Sequence, residues 1–129
     1  MTYSVRASIQ TGGTHRQILQ KGTIMTKKVT FYICLNDKDT KTQRVNALDA
    51  SNIVANIFVA HDVDGATISG GQGVYKHEDG TVVVEQTIIV QVYEFGEPID
   101  IEGICTDVKT ALNQESVAVE QTETSSSLY

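Results

Sequence analysis

Few residues of this chain could carry chemistry, and their spacing limits what each can do. The run Gly70-Gly71-Gln72-Gly73 has the backbone freedom of a phosphate loop. It lacks the Lys-Ser/Thr that follows a P-loop and does not lead into a helix. Glycines there read as a bulged or closely approached strand, whose backbone amides can face a ligand. His61 and His77 have no second histidine at metal spacing. His61 falls at the end of a helical pattern, where a cation complements the dipole. Glu78, Asp79 and Glu85 could be paired carboxylates, but they fall in a turn and on a strand face that water solvates. Cys34 and Cys105 have neither scaffold nor zinc spacing and read as small buried hydrophobes of a reducing cytoplasm. No nucleophile stands out beside a base and an orienter. Tyr75 leaves a strand just before a turn and points away from the helices if alternation holds through the glycines. An aromatic placed so can stack on a base or pack against a subunit.

The elements that must position these residues follow from periodicity. Residues 29–35 are β-branched and aromatic, with Val29, Phe31, Ile33 and Leu35 on one face, which predicts a strand. Residues 36–41 are a polar turn. Across residues 48–61, Ala50, Ile53, Val54, Ile57 and Phe58 recur at helical spacing. Residues 66–75 read as a strand holding the glycines, and residues 76–80 end in Asp-Gly, a hairpin signal. Residues 81–95 form a long strand with Val82, Val84, Ile88, Val90 and Val92 on one face. Gln86 interrupts that face and needs a polar partner to be tolerated. Pro98 opens a second helix with Ile101, Ile104, Cys105, Val108 and Leu112 inward. Residues 117–119 are a short last strand, and residues 122–129 a serine-rich tail, free to move unless docked on a partner.

This order predicts an α+β, ferredoxin-like β-α-β-β-α-β sandwich, a four-stranded antiparallel sheet with two helices on one face. The other face mixes apolar Tyr32, Val83, Ile89 and Tyr93 with polar residues. A domain this small gains by covering it, so a homo-oligomer is expected.

The chain has 129 residues and a net charge of −6, room for one domain and a poor match to a nucleic-acid backbone. No DNA, RNA or membrane partner is expected. Residues 1–24 hold Arg6, Arg16 and Lys21 and no acid, a composition opposite to that of the rest. Lys21-Gly22 before Met25 is compatible with a translated ribosome-binding sequence. The expected organisation is a leader or extension at 1–24, one α+β domain at 25–122 and a polar tail at 123–129. The alternative for the leader is an extra strand over residues 3–9.

Three stretches carry a family resemblance. They are Leu35-Asn36-Asp37-Lys38-Asp39-Thr40-Lys41, Gly65-Ala66-Thr67-Ile68 leading to Gly73-Val74-Tyr75-Lys76-His77-Glu78-Asp79-Gly80-Thr81, and Leu112-Asn113-Gln114-Glu115-Ser116-Val117-Ala118-Val119. Together they resemble the first-described family of phage anti-Thoeris proteins, over about residues 27–128. The resemblance implies a non-enzymatic sponge without cofactor or metal, acting in the cytoplasm of the infected bacterium. It would sequester intact a cyclic ADP-ribose isomer made by a TIR-domain protein, and some members also hold cyclic oligonucleotides. The assembly implied is a homo-oligomer, a dimer or a hexamer-of-dimers type. Such a ligand needs an aromatic stacker, donors for a diphosphate and polar partners for ribose hydroxyls. Tyr75 is the candidate stacker and Gln86 a polar contact. Asn36, Lys38, Lys41 and Lys109 could meet phosphates, as could backbone amides at Gly71 and Gly73. Arg44 is the sole arginine after Met25, a departure from the basic contribution expected. Two competing readings are a small protein-interaction module acting on a host enzyme and an enzyme that degrades a nucleotide signal.

Overall fold

The computed structural model describes residues 18–20, 23–127 and 129. Its elements are β1 (Ile18–Gln20), β2 (Thr23–Cys34), α1 (Ala47–Ala60), β3 (Thr67–Lys76), β4 (Val82–Glu94), α2 (Ile101–Leu112) and β5 (Ala118–Ser127). The four long strands lie in the order β5-β2-β4-β3, every neighbouring pair antiparallel, and β1 adds a short rung at the start of β2. The β-α-β-β-α-β order and the two helices on one face are those expected.

One face of the sheet is covered because its side chains leave no alternative. Val29, Phe31 and Ile33 of β2 and Ile88, Val90 and Val92 of β4 are buried there, in cross-strand pairs Phe31–Val90 and Ile33–Ile88. Ala50, Val54 and Phe58 meet them from α1, and Ile104, Val108 and Leu112 from α2. Both triplets follow the four-residue spacing that lines one side of a helix. The Phe31 and Phe58 rings pack edge to face at 4.9 Å and 87°, a favoured aromatic geometry. Each helix starts on a capping side chain. Asn46 accepts from the Asp49 N–H at 2.8 Å, and Asp100 accepts from the Gly103 N–H at 3.0 Å. Pro98 precedes the second cap by two residues rather than opening the helix itself. Asn113 ends α2 in the left-handed region, φ 48°, which asparagine tolerates better than most residues.

Two boundaries differ from expectation. The last strand does not stop at 119. It runs from Ala118 to Ser127 along β2, with Thr30–Glu120, Lys28–Thr122 and Thr26–Thr124 opposite one another, so the tail drawn at 123–129 is for the most part a sheet strand. Serine and threonine carry no hydrophobic alternation, which hides such a strand from periodicity, but the ladder needs only their backbone. The Thr26 and Ser126 hydroxyls add a contact at 2.9 Å. At the other end, β2 starts at Thr23 and so crosses the boundary drawn before Met25. The alternative strand over 3–9 and most of the expected leader lie outside the described residues.

Candidate functional site

The strand register sets which residues occupy the face of the sheet opposite the helices. Opposite the helices lie Tyr32 and Cys34 of β2, Glu85, Thr87 and Ile89 of β4, and Gly71, Gly73 and Tyr75 of β3. The cross-strand rows are Tyr32–Ile89, Cys34–Thr87–Gly71 and Glu85–Gly73. Tyr75 therefore points away from the helices, as the alternation requires.

The two glycines are what make room there. A Cβ on Gly73 would lie 3.0 Å from Thr87 Oγ1 and 3.7 Å from the Tyr75 hydroxyl, and one on Gly71 would lie 3.1 Å from Ile89 Cδ1. Without side chains at these positions, Tyr75 leans back along its own strand until its hydroxyl is 2.5 Å from Cys34 Sγ, two strands away. Thr87 Oγ1 approaches the same sulfur at 3.9 Å. Hydrogen bonding to Cys34, burial and the neighbouring Glu85 carboxylate push the Tyr75 phenol far above its ordinary pKa, so the hydroxyl stays protonated. The residue as a whole is 43% exposed.

Beside it, the half-buried Glu85 is fixed from the β2–α1 loop, where the Asn36 N–H donates to Oε2 at 2.8 Å. The Asn36 carbonyl in turn accepts from the Gln114 amide at 2.8 Å. Asp37 holds the rest of that loop. Its carboxylate accepts from the Asp39 and Thr40 N–H groups and from the Asn113 amide, and these bonds keep its pKa down to about 2.

The site residues expected from sequence divide between the two faces. Tyr75, Gly71 and Gly73 come together on the open face, with the Asn36 backbone reaching their edge through Glu85. Lys38 and Lys41 sit on the loop at the same end of the sheet. The Lys38 N–H donates to the Asn113 carbonyl at 3.0 Å, and the Lys41 ammonium donates to the Lys38 carbonyl at 2.6 Å. Gln86 points to the helix side, where it finds the partner it needs: the Gln43 amide donates to Oε1 at 2.6 Å. There it joins Leu35, Leu48 and Gly70 around a cleft of about 270 Å3. Lys109 lies in the last turn of α2, also in the helix layer. In sequence, Glu85 reads as a solvated acid and Cys34 as a buried hydrophobe. The cross-strand register, once drawn, puts both on the Tyr75 face.

A second cluster stands at the opposite end. His61 closes α1 and reaches α2, with Nδ1 3.1 Å from Asp100 and Nε2 2.6 Å from Asp107. Its hydrogen bond to Asp107 raises its pKa above 6.5 against the opposing effect of burial, and the second bond, to Asp100, adds to the rise. It borders a cavity of about 510 Å3 together with Asp62, Asp64, Glu94 and Glu97. Among the described residues no group of three or more His, Cys, Asp or Glu is arranged to hold a metal ion, and no helix is long and apolar enough to cross a membrane.

In class this is a ferredoxin-like α+β protein whose helices cover one face of the sheet; on the other, among the described residues, Tyr32 and Tyr75 are exposed while Thr26, Thr30 and Thr87 are buried. No family model and no curated protein matches the sequence. Among solved structures, a phage SAM lyase in complex with S-methyl-5′-thioadenosine shares the fold with a TM-score of 0.58 and 18% identity, over 80% of this chain and 90% of that one. A phage SAM lyase in its apo state aligns with a TM-score of 0.55 and 21% identity, over 87% and 94%. At these identities the likeness is one of fold.

Proposed function

We propose that this chain is a phage immune-evasion protein that binds a small adenine nucleotide on the open face of its sheet and holds it unaltered. The sequence resemblance names the ligand as a TIR-derived cyclic ADP-ribose isomer or a related cyclic nucleotide, captured in the cytoplasm of the infected host so that Thoeris defence is not triggered. The observation that carries the reading is the Tyr75 ring standing over a patch cleared by Gly71 and Gly73, with a fixed carboxylate beside it. An aromatic plane with room above it and polar acceptors at its rim is what a nucleoside requires. A sponge needs affinity alone and no preference for a transition state. Lys38 and Lys41, on the loop at the same end, are the cations available to a diphosphate. Gln86 and Lys109, on the other face, would reach the ligand only from a neighbouring copy. Val74, Val82 and Val84 are 64%, 60% and 50% exposed where the β3–β4 hairpin outruns the helices, which favours a homo-oligomer.

One observation favours a second reading, namely the fold shared with phage SAM lyases, one of them holding S-methyl-5′-thioadenosine. On that reading the ligand is SAM and it is consumed. A single experiment separates the two. Purified protein is mixed with a TIR-generated nucleotide extract or with SAM, then filtered, and the filtrate and the heat-denatured protein are analysed by mass spectrometry. A signal lost from the filtrate and returned intact on heating supports the sponge. Conversion of SAM to S-methyl-5′-thioadenosine supports the lyase. Both ligands remaining in the filtrate would reject nucleotide binding and point to a protein partner.

A further inference from the structure

The open face also carries a feature that bears on which part of the ligand lies where, given the nucleotide-binding reading above. Glu85 is half-buried beside the stacking ring. Among the described residues no lysine, arginine or histidine forms an ion pair with it, the two ion pairs present both belonging to His61. The Asn36 N–H occupies Oε2 from below the rim. A carboxylate has about four lone-pair sites, so acceptor capacity is left over. Across the strand its row partner is Gly73, which has no side chain, and the Tyr75 hydroxyl beside it engages the carboxylate as a second partner.

A negative charge held at this spot discriminates. It repels a phosphate, whose place must then be away from Glu85, and it attracts hydroxyl donors, with charge-assisted bonds stronger than neutral ones. We propose that Glu85 is the specificity-determining residue of the site, accepting hydrogen bonds from the vicinal ribose hydroxyls of the nucleoside whose base stacks on Tyr75. The base lies on the solvent side of the Tyr75 ring with its ribose toward Glu85, and any phosphate extends toward the loop bearing Lys38 and Lys41.

The test is a ligand-by-mutant cycle measured by calorimetry. Adenosine, 2′-deoxyadenosine and 2′,3′-dideoxyadenosine are titrated into wild type, Glu85→Gln and Tyr75→Ala. Glu85→Gln keeps the shape and can still accept the Asn36 N–H, and thermal melting checks that the fold survives. In wild type, loss of the hydroxyls weakens binding about tenfold or more. In Glu85→Gln, adenosine weakens by a similar factor while 2′,3′-dideoxyadenosine is unaffected, a coupling that a merely structural role does not produce. Equal losses for all three nucleosides in Glu85→Gln overturn the ribose assignment and leave the site standing. Failure of wild type to bind any of them, with Tyr75→Ala no different, overturns the site and the assignment together.

Discussion

Strand β4 shows two sets of rules on one stretch of backbone. Toward the helices, Ile88, Val90 and Val92 are almost wholly removed from water and meet other apolar chains on every side. Toward the open face, Thr87, Ile89 and Gln91 alternate with them, and their row partners are Cys34 and Gly71, Tyr32 and Ser69, and Thr30 and Thr67. The first face can be satisfied in one way, by burying its bulk. The second trades bulk for room and for polar atoms held in place, such as the Thr87 hydroxyl and the Glu85 carboxylate. Stability and ligand recognition are thus separated by which side of the strand a residue faces, and mutations should separate them too.

The largest effect is expected on the covered side. Phe31→Ala should lower stability by about 3–5 kcal/mol, read as a shifted midpoint in denaturant unfolding, since Phe31 is fully buried against Phe58. On the open side, Tyr75→Ala should weaken nucleotide binding by about 1–3 kcal/mol, the range of base–aromatic stacking, while stability moves by less than about 1 kcal/mol. Equal effects of the two substitutions on stability would break the comparison. A smaller change comes at the rim of the core. Gly103→Ala would ordinarily favour a helix, but a Cβ there would stand 2.8 Å from His61 Cε1 and collide with the Asp100 cap. It should therefore destabilise by about 1 kcal/mol, the worth of a lost cap, as thermal melting would register. The smallest effect belongs to His61. Its folded pKa is raised above 6.5, so the protonated form is the stabilising one. The contribution is fully present below 6.5 and is lost as pH rises through the folded value. The melting temperature of wild type should exceed that of His61→Gln at about pH 6, with the gap narrowing toward about pH 8.5.

The covered face is legible in the sequence because it repeats. The periods of 2 in β2 and β4 and of about 3.6 in the helices mark residues in or against the core, except that Val82 and Val84 carry the β4 rhythm into a stretch that is exposed. The Asp-Gly of the hairpin and the orientation of Tyr75 follow from turn chemistry and alternation alone. What periodicity cannot reach is what does not repeat. Strand β5 past Val119 has no apolar rhythm, and its pairing with β2 depends on a partner about a hundred residues away. Gln86 reads as a ligand contact because it breaks an apolar row, yet its partner is Gln43, brought near by the turn of the β2–α1 loop. Glu85 reads as a solvated acid because its link to the Asn36 N–H is a tertiary contact between segments far apart in sequence. Such contacts leave no local trace.

The pairing of β2 has a consequence for how the molecule is made. Its two flanks come from residues 87–94 and 118–127, so the strand at the centre of the sheet is finished on neither side until much more of the chain exists. Contact order is correspondingly high, and folding should be slow compared with that of a helical protein of equal length. Until β5 arrives, β2 presents an open edge to other chains, a route to aggregation during synthesis.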